Sequence, residues 1–88
     1  MSIRVVIVGL GPIGASVARQ VIARKGFTLV GAVDVDPAKV GRDAADVIGL
    51  EKPLRVKVTR EIGPTIKSAK PDVAVLCTSS SLKSVVGQ

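Results

Sequence analysis

Three glycines, one aspartate and a short run of hydroxyls have the spacing to hold a ligand. Gly9, Gly11 and Gly14 fill G-x-G-x-x-G within Gly9-Leu10-Gly11-Pro12-Ile13-Gly14, Asp34 follows 20 positions after Gly14, and Thr78-Ser79-Ser80-Ser81 lies far downstream. In such a turn each glycine has a separate task. Gly9 permits the sharp exit from a strand. Gly11, lacking a Cβ, lets backbone N–H groups approach a pyrophosphate. Gly14 lets the following helix lie close to the strand. The helix N-terminus adds free N–H groups and a partial positive charge for the phosphates. Leu10, Pro12 and Ile13 belong to the same turn and share its contact with the ligand.

A carboxylate at Asp34 accepts from both hydroxyls of an adenosine ribose and repels a 2′-phosphate, which makes NAD the expected cofactor. Val35 sits beside it at the same strand end. Lys39 and Arg42 lie just beyond and can reach a 2′-phosphate if Asp34 turns aside, so NADP is the second choice. The plainer role for both is a solvated face. Asp36 precedes Pro37, and its plain role is turn chemistry. Thr78, Ser79 and Ser80 follow a strand candidate, where the carboxyl ends of parallel strands hold ligands. They are expected to contact the pyrophosphate or the nicotinamide ribose, to cap a following helix, or to do both.

The glycine pattern alone is weakly specific, so the elements around it carry the argument. Ile3–Val8 is a β-branched, apolar strand candidate. Pro12 suits the first turn of a helix. Ile13, Val17 and Val21, with Gly14, Ala18 and Ile22 beside them, form one apolar stripe. Arg24 and Lys25 are placed in the last turn of that helix, with Gly26 as its stop. Phe27–Asp34 reads as a second strand. Strand, helix and strand together have the length of one right-handed βαβ unit.

Farther on, Asp36-Pro37 marks a turn and residues 37–40 a helical turn. Gly41–Gly49 reads as a short helix. Leu54–Val58 alternates apolar and basic residues like a half-exposed strand, with Arg55 and Lys57 guarding an edge. Residues 61–70 form a short helix with a firm start near Pro64. Val73–Thr78 is a fourth, buried strand, and a helix is expected to begin within residues 81–86. Alternation of this kind predicts an α/β fold, a Rossmann-type parallel sheet of order 3-2-1-4 with helices on both faces. The pattern stops where a second half would continue. The expectation is therefore an incomplete dinucleotide-binding domain over residues 1–88. The fourth strand should then form an apolar edge, Val73–Thr78, open to homo-oligomer formation.

Composition narrows the classes. Apolar content of 47% argues against disorder. Phe27 is the only aromatic, which disfavours a base-stacking surface. The net charge of +6 is spread from Arg4 to Lys83 with no basic run, so no nucleic-acid partner is expected. Cys77 is the sole cysteine and there is no histidine. No metal site is predicted, and Cys77 is read as a packing residue in a reducing compartment. No apolar run is long enough to span a membrane and no signal-peptide pattern opens the chain, so a cytoplasmic location and no membrane partner are expected.

The segments Arg4–Gly14, Leu29–Pro37, Lys39–Asp43, Val47–Leu50 and Pro71–Ser80 together resemble the N-terminal domain of the dihydrodipicolinate reductase family, with the 2,4-diaminopentanoate dehydrogenase-like branch as the nearest likeness. The first segment is shared by many Rossmann enzymes. Lys39–Leu50 and Thr78–Ser80 are the more specific parts. The resemblance implies an NAD(P)-dependent oxidoreductase that moves hydride between the cofactor and a small amino-acid-like substrate, often as a homo-oligomer. It also implies that a C-terminal domain supplies the substrate site and the catalytic groups. No catalytic residue is assigned within these 88 residues, which are expected to bind cofactor without turnover. The rival class is a non-catalytic, nucleotide-sensing regulatory Rossmann module.

Overall fold

The computed structural model describes residues 2–77 and the strand 83–85. Its elements are β1 (Ile3–Val8), α1 (Pro12–Ala23), β2 (Phe27–Val33), α2 (Ala44–Ile48), β3 (Val58–Thr59), α3 (Ile62–Ala69), β4 (Val73–Leu76) and β5 (Lys83–Val85). The sheet order is β3-β2-β1-β4-β5. The first four strands are parallel, in the 3-2-1-4 order expected from the sequence, and β5 pairs with β4 antiparallel.

β1 is central because its residues suit both faces. Val5 and Ile7 enter a core shared with α1 and α2, while Val6 and Val8 enter one beneath α3. Two buried faces exclude an alternating polar pattern, so the strand reads as continuous Val and Ile. α1 lies close to the sheet through small residues, Gly14, Ala15 and Ala18, with Ile13, Val17, Val21 and Ile22 flanking them. At the far end Arg4 donates from its guanidinium to the carbonyls of Ala69 and Lys70, and its N–H donates to the Asp72 carboxylate. The C-terminus of α3 is thereby tied to the start of β1.

Several local expectations need correction. α1 ends at Ala23, so Arg24 is its C-cap and Lys25 lies beyond it, rather than both filling the last turn. Residues 37–40 do make the single turn expected of them: Asp36 accepts the N–H groups of Lys39 and Val40 on its carbonyl, and that of Ala38 on its carboxylate. The third strand is Val58–Thr59, not Leu54–Val58. Asp43 is the cause. Its carboxylate caps α2 at Ala45 and also accepts the N–H groups of Leu54 and Arg55, which removes those donors from a ladder. Arg55 adopts a φ of 60°, and Lys57 forms an isolated bridge with Asp43.

α3 begins at Ile62, two residues before Pro64, and Pro64 is accommodated in the first turn where helical N–H groups have no intrahelical acceptor. The fourth strand is half-buried and spans Val73–Leu76. Its outer edge is occupied by β5, so the open apolar edge expected at Val73–Thr78, and the homo-oligomer built on it, lose their basis. The helix expected within residues 81–86 is replaced by that strand over Lys83–Val85.

Candidate functional site

The site grows from the carboxyl ends of β1 and β2. Gly9 leaves β1 at a φ of 95°, in the left-handed region that favours glycine. Its N–H donates to the Val33 carbonyl at 2.7 Å, which ties the turn to β2. Gly11 is the N-cap of α1, with no side-chain cap bond of its own, and Pro12 opens the helix. The space where a Gly11 Cβ would stand is open to 4 Å. At Gly14 the reverse holds, since a Cβ there would lie 1.8 Å from the Gly9 carbonyl oxygen. Thus Gly11 leaves room above the turn, and Gly14 lets the helix seat beneath it.

Asp34 reaches this turn. One carboxylate oxygen accepts the Leu10 N–H at 2.7 Å and the other accepts the Asp36 N–H at 2.9 Å. Lys39 extends back to the same residue. Its Nζ donates to the Leu10 carbonyl at 3.0 Å and stands 3.9 Å from the Asp34 carboxylate. Leu10 is therefore held through the peptide before it by an anion at the N–H and through the peptide after it by a cation at the C=O. Burial raises the Asp34 carboxyl, but the N–H groups of Asp36 and Leu10, the Lys39 ammonium and the Val35 N–H outweigh it and hold the group below its ordinary range. The carboxylate is ionised at neutral pH and aimed at the mouth of the turn.

These residues line an open cleft of about 490 Å³ whose walls include Gly9, Gly11, Asp34, Val35, Lys39, Arg60, Ile62 and Cys77. Such a volume suits a small-molecule or cofactor site. Val35 is 73% exposed and Ile62 42%, so two apolar side chains face solvent at the cleft. Leu10 itself is buried, Ile13 packs into the core and Gly14 is buried under the helix, so of the turn's residues Gly9 and Gly11 line the space and Leu10, Pro12, Ile13 and Gly14 do not. Cys77 is buried, with its thiol pushed up by that burial, and its N–H donates to the Val8 carbonyl. It is a floor of the cleft with no activating partner among the described residues. Arg42 is exposed and does not line the cleft. Thr78, Ser79 and Ser80 lie outside the described residues.

Arg60 and Ile62 are the site residues that sequence reading missed. The available signal was their position just after a parallel strand, where the carboxyl ends line the ligand crevice. Placing the third strand at Leu54–Val58 moved that end one residue too early in the chain. A second cleft of about 590 Å³ lies between β3 and α3 and includes Arg55, Lys57, Thr65 and Ser68. It contains no residue of the glycine turn.

Among the described residues no cluster of acidic or cysteine side chains is suited to a metal ion. No helix among them is long and apolar enough to cross a membrane.

The redox-sensing transcriptional repressor Rex of Caldicellulosiruptor saccharolyticus is 34% identical over 80 residues, which is 90% of this chain and 33% of the repressor. The 4-hydroxy-tetrahydrodipicolinate reductase of Mastigocladus laminosus is 36% identical over 56 residues, 64% of this chain and 20% of the enzyme. Among solved structures, an amine dehydrogenase from Mycobacterium smegmatis superposes with a TM-score of 0.79 at 35% identity, covering 84% of this chain and 22% of that one. The chain thus spans a third or less of the length of these relatives. The family model described as dihydrodipicolinate reductase, N-terminus, matches residues 3–86. That match takes in the glycine turn, Asp34 and every strand of the sheet, and the chain belongs to the dihydrodipicolinate reductase N-terminal family.

Proposed function

We propose that this chain is the NAD-binding domain of an oxidoreductase whose substrate is small and amino-acid-like, with NADP as a second cofactor. One observation carries the reading: an ionised Asp34 is held at the mouth of a glycine turn that leaves its own helix N-terminus open. The ribose hydroxyls would bond to Asp34 and the pyrophosphate would lie over Gly11 and the first turn of α1. Val35 and Ile62 offer apolar walls for a base, with Arg60 beside them. Thr78, Ser79 and Ser80 complete the proposed contacts. The cofactor, when bound, supplies the hydride. The chain's part is to bind it, orient it and keep a 2′-hydroxyl in front of a carboxylate.

The catalytic groups are assigned to a further C-terminal domain, in keeping with the small share of each relative that the chain matches. Titration calorimetry with NADH and NADPH tests the reading. Heat with NADH, weakened more for NADH than for NADPH by Asp34→Ala, is the expected result. Absence of heat with either nucleotide at millimolar concentration would reject it.

A second reading has its own support. The likeness to a redox-sensing repressor covers 90% of the chain. A nucleotide-sensing module would change its assembly when cofactor binds, and light scattering with and without NADH separates the two. An unchanged mass favours the enzyme domain.

A further inference from the structure

Leu29 and Asp34 are five residues apart. A regular strand alternates its side chains, so an odd spacing puts two residues on opposite faces. Here both lie on one side. Leu29 joins the core beneath α1, and Asp34 bonds to Leu10, a member of that same core. The extra residue is absorbed in the middle of β2. β1 pairs Val5 with Leu29 and then Val6 with Gly31, which leaves Val30 without a partner in register. Val30 packs with Val6, Val8 and Val33 on the α3 side. Gly31 faces the same way, since a Cβ built on it would meet Val6 and Thr65. Two consecutive residues thus share a face. Alternation then resumes in the other phase, with Ala32 toward α1 and Val33 toward α3.

We propose that the bulge at Val30–Gly31 is a positioning device for the cofactor site, turning Asp34 to the side of the sheet on which the glycine turn lies. Gly31 is its positioning residue. A Cβ there would stand 2.9 Å from Val6 Cγ2 and 3.0 Å from Thr65 Cγ2, so a side chain must displace these methyls or shift β2 away from β1 and α3, and either disturbs the bulge. Bulges re-aim side chains in this way next to ligand sites. The consequence for binding rests on the reading of Asp34 as the ribose carboxylate, but the geometry can be tested without any cofactor.

The Asp34 carboxylate accepts two N–H groups of different kinds. The bond from Asp36 is local and independent of strand phase, whereas the bond from Leu10 crosses the sheet and requires it. Both amide resonances should follow the Asp34 titration in the 88-residue chain. In Gly31→Ala the Leu10 response should vanish and the Asp36 response remain. Adding Val6→Ala, which removes one obstructing methyl, should restore it. A folded Gly31→Ala protein in which Leu10 still follows the titration overturns the proposal.

Deleting Val30 gives an independent arm, since it leaves an even spacing that a regular strand places on one face. The Leu10 response should survive this deletion, and its loss in a folded protein overturns the phase argument. NADH affinity in Gly31→Ala should fall about tenfold, the scale of one lost charge-assisted hydrogen bond. A wild-type chain whose Leu10 amide follows Asp34 but which binds no NADH would reject the cofactor reading and uphold the positioning device.

Discussion

The two faces of the sheet are built to different depths. Under α1 and α2 lies a core of Val5, Ile7, Leu10, Ala15, Ala18, Leu29, Ala32, Ala44, Ile48, Val58 and Cys77. Under α3 the fully buried set is Val6, Val8 and Val33, flanked by Val30, Ala69 and Leu76. α3 also leaves Ile62 and Ile66 exposed and a cleft along β3. The glycine turn rests on the deep face, where Leu10 and Ala15 are part of the core. Ligand-binding backbone needs a scaffold that does not move when charge arrives. The shallow face contributes side chains at the rim, Arg60 and Ile62, from a side of the sheet with fewer buried residues, the setting in which local opening costs least.

This contrast can be broken or sharpened by experiment. The largest effect should come from Gly14→Ala. The new Cβ would overlap the Gly9 carbonyl, which as backbone cannot step aside. Urea unfolding should show a loss of about 3 kcal/mol or more, above the ordinary cost of overpacking. A near-neutral result would mean that α1 can lift off the sheet freely.

Next, Ile7→Ala on the deep face should cost about 2–5 kcal/mol, as for a fully buried aliphatic. Leu76→Ala, half-buried on the shallow face, should cost about 1–2 kcal/mol from area alone. Equal losses in the same unfolding assay would erase the distinction between the faces.

A smaller effect is expected from Asp34 as a function of pH. Its folded pKa is depressed, so its stabilising contribution is complete above the ordinary unfolded value of about 3.9 and is lost as pH falls through the folded pKa. Unfolding curves between neutral pH and strong acid should fall more steeply for the wild type than for Asp34→Asn. Parallel curves would show that the Leu10 and Asp36 bonds contribute nothing.

The smallest change in stability should follow Lys39→Met, below about 0.5 kcal/mol for a partly exposed pair at 3.9 Å. Its signature lies in selectivity, with NADPH affinity falling relative to NADH in calorimetry. An unchanged ratio would return Lys39 to the role of a solvated lysine that tethers Leu10.

The glycine turn was legible because its constraints are local. Pro12 can open a helix but not continue a strand, and Gly14 must be bare for α1 to seat. The central strand was legible from Val and Ile on both faces. Other features depend on contacts distant in the chain. Leu54–Val58 has the alternation of an edge strand, yet Asp43, eleven residues before Leu54, takes the first two N–H groups of that segment. The bulge in β2 is also hidden from pattern reading, since Phe27–Val33 is apolar on both faces and shows no break in phase. Arg60 and Ile62 came into view only once β3 was placed at Val58–Thr59. The pairing of β5 with β4 reverses direction, and the preceding βα alternation gave no sign of that reversal.

The clasp at the amino end of β1 bears on the order in which the molecule assembles. Arg4 bonds to Ala69, Lys70 and Asp72, partners separated from it by at least 65 residues. During synthesis β1, α1 and β2 emerge before β4 and can pair among themselves, but the other edge of β1 stays bare until β4 arrives. Closing so long a loop is slow compared with local pairing. The strand at the centre of the fold therefore waits for β4 before it is sealed on both sides, and through that interval its Val-rich edge is the surface a chaperone would meet.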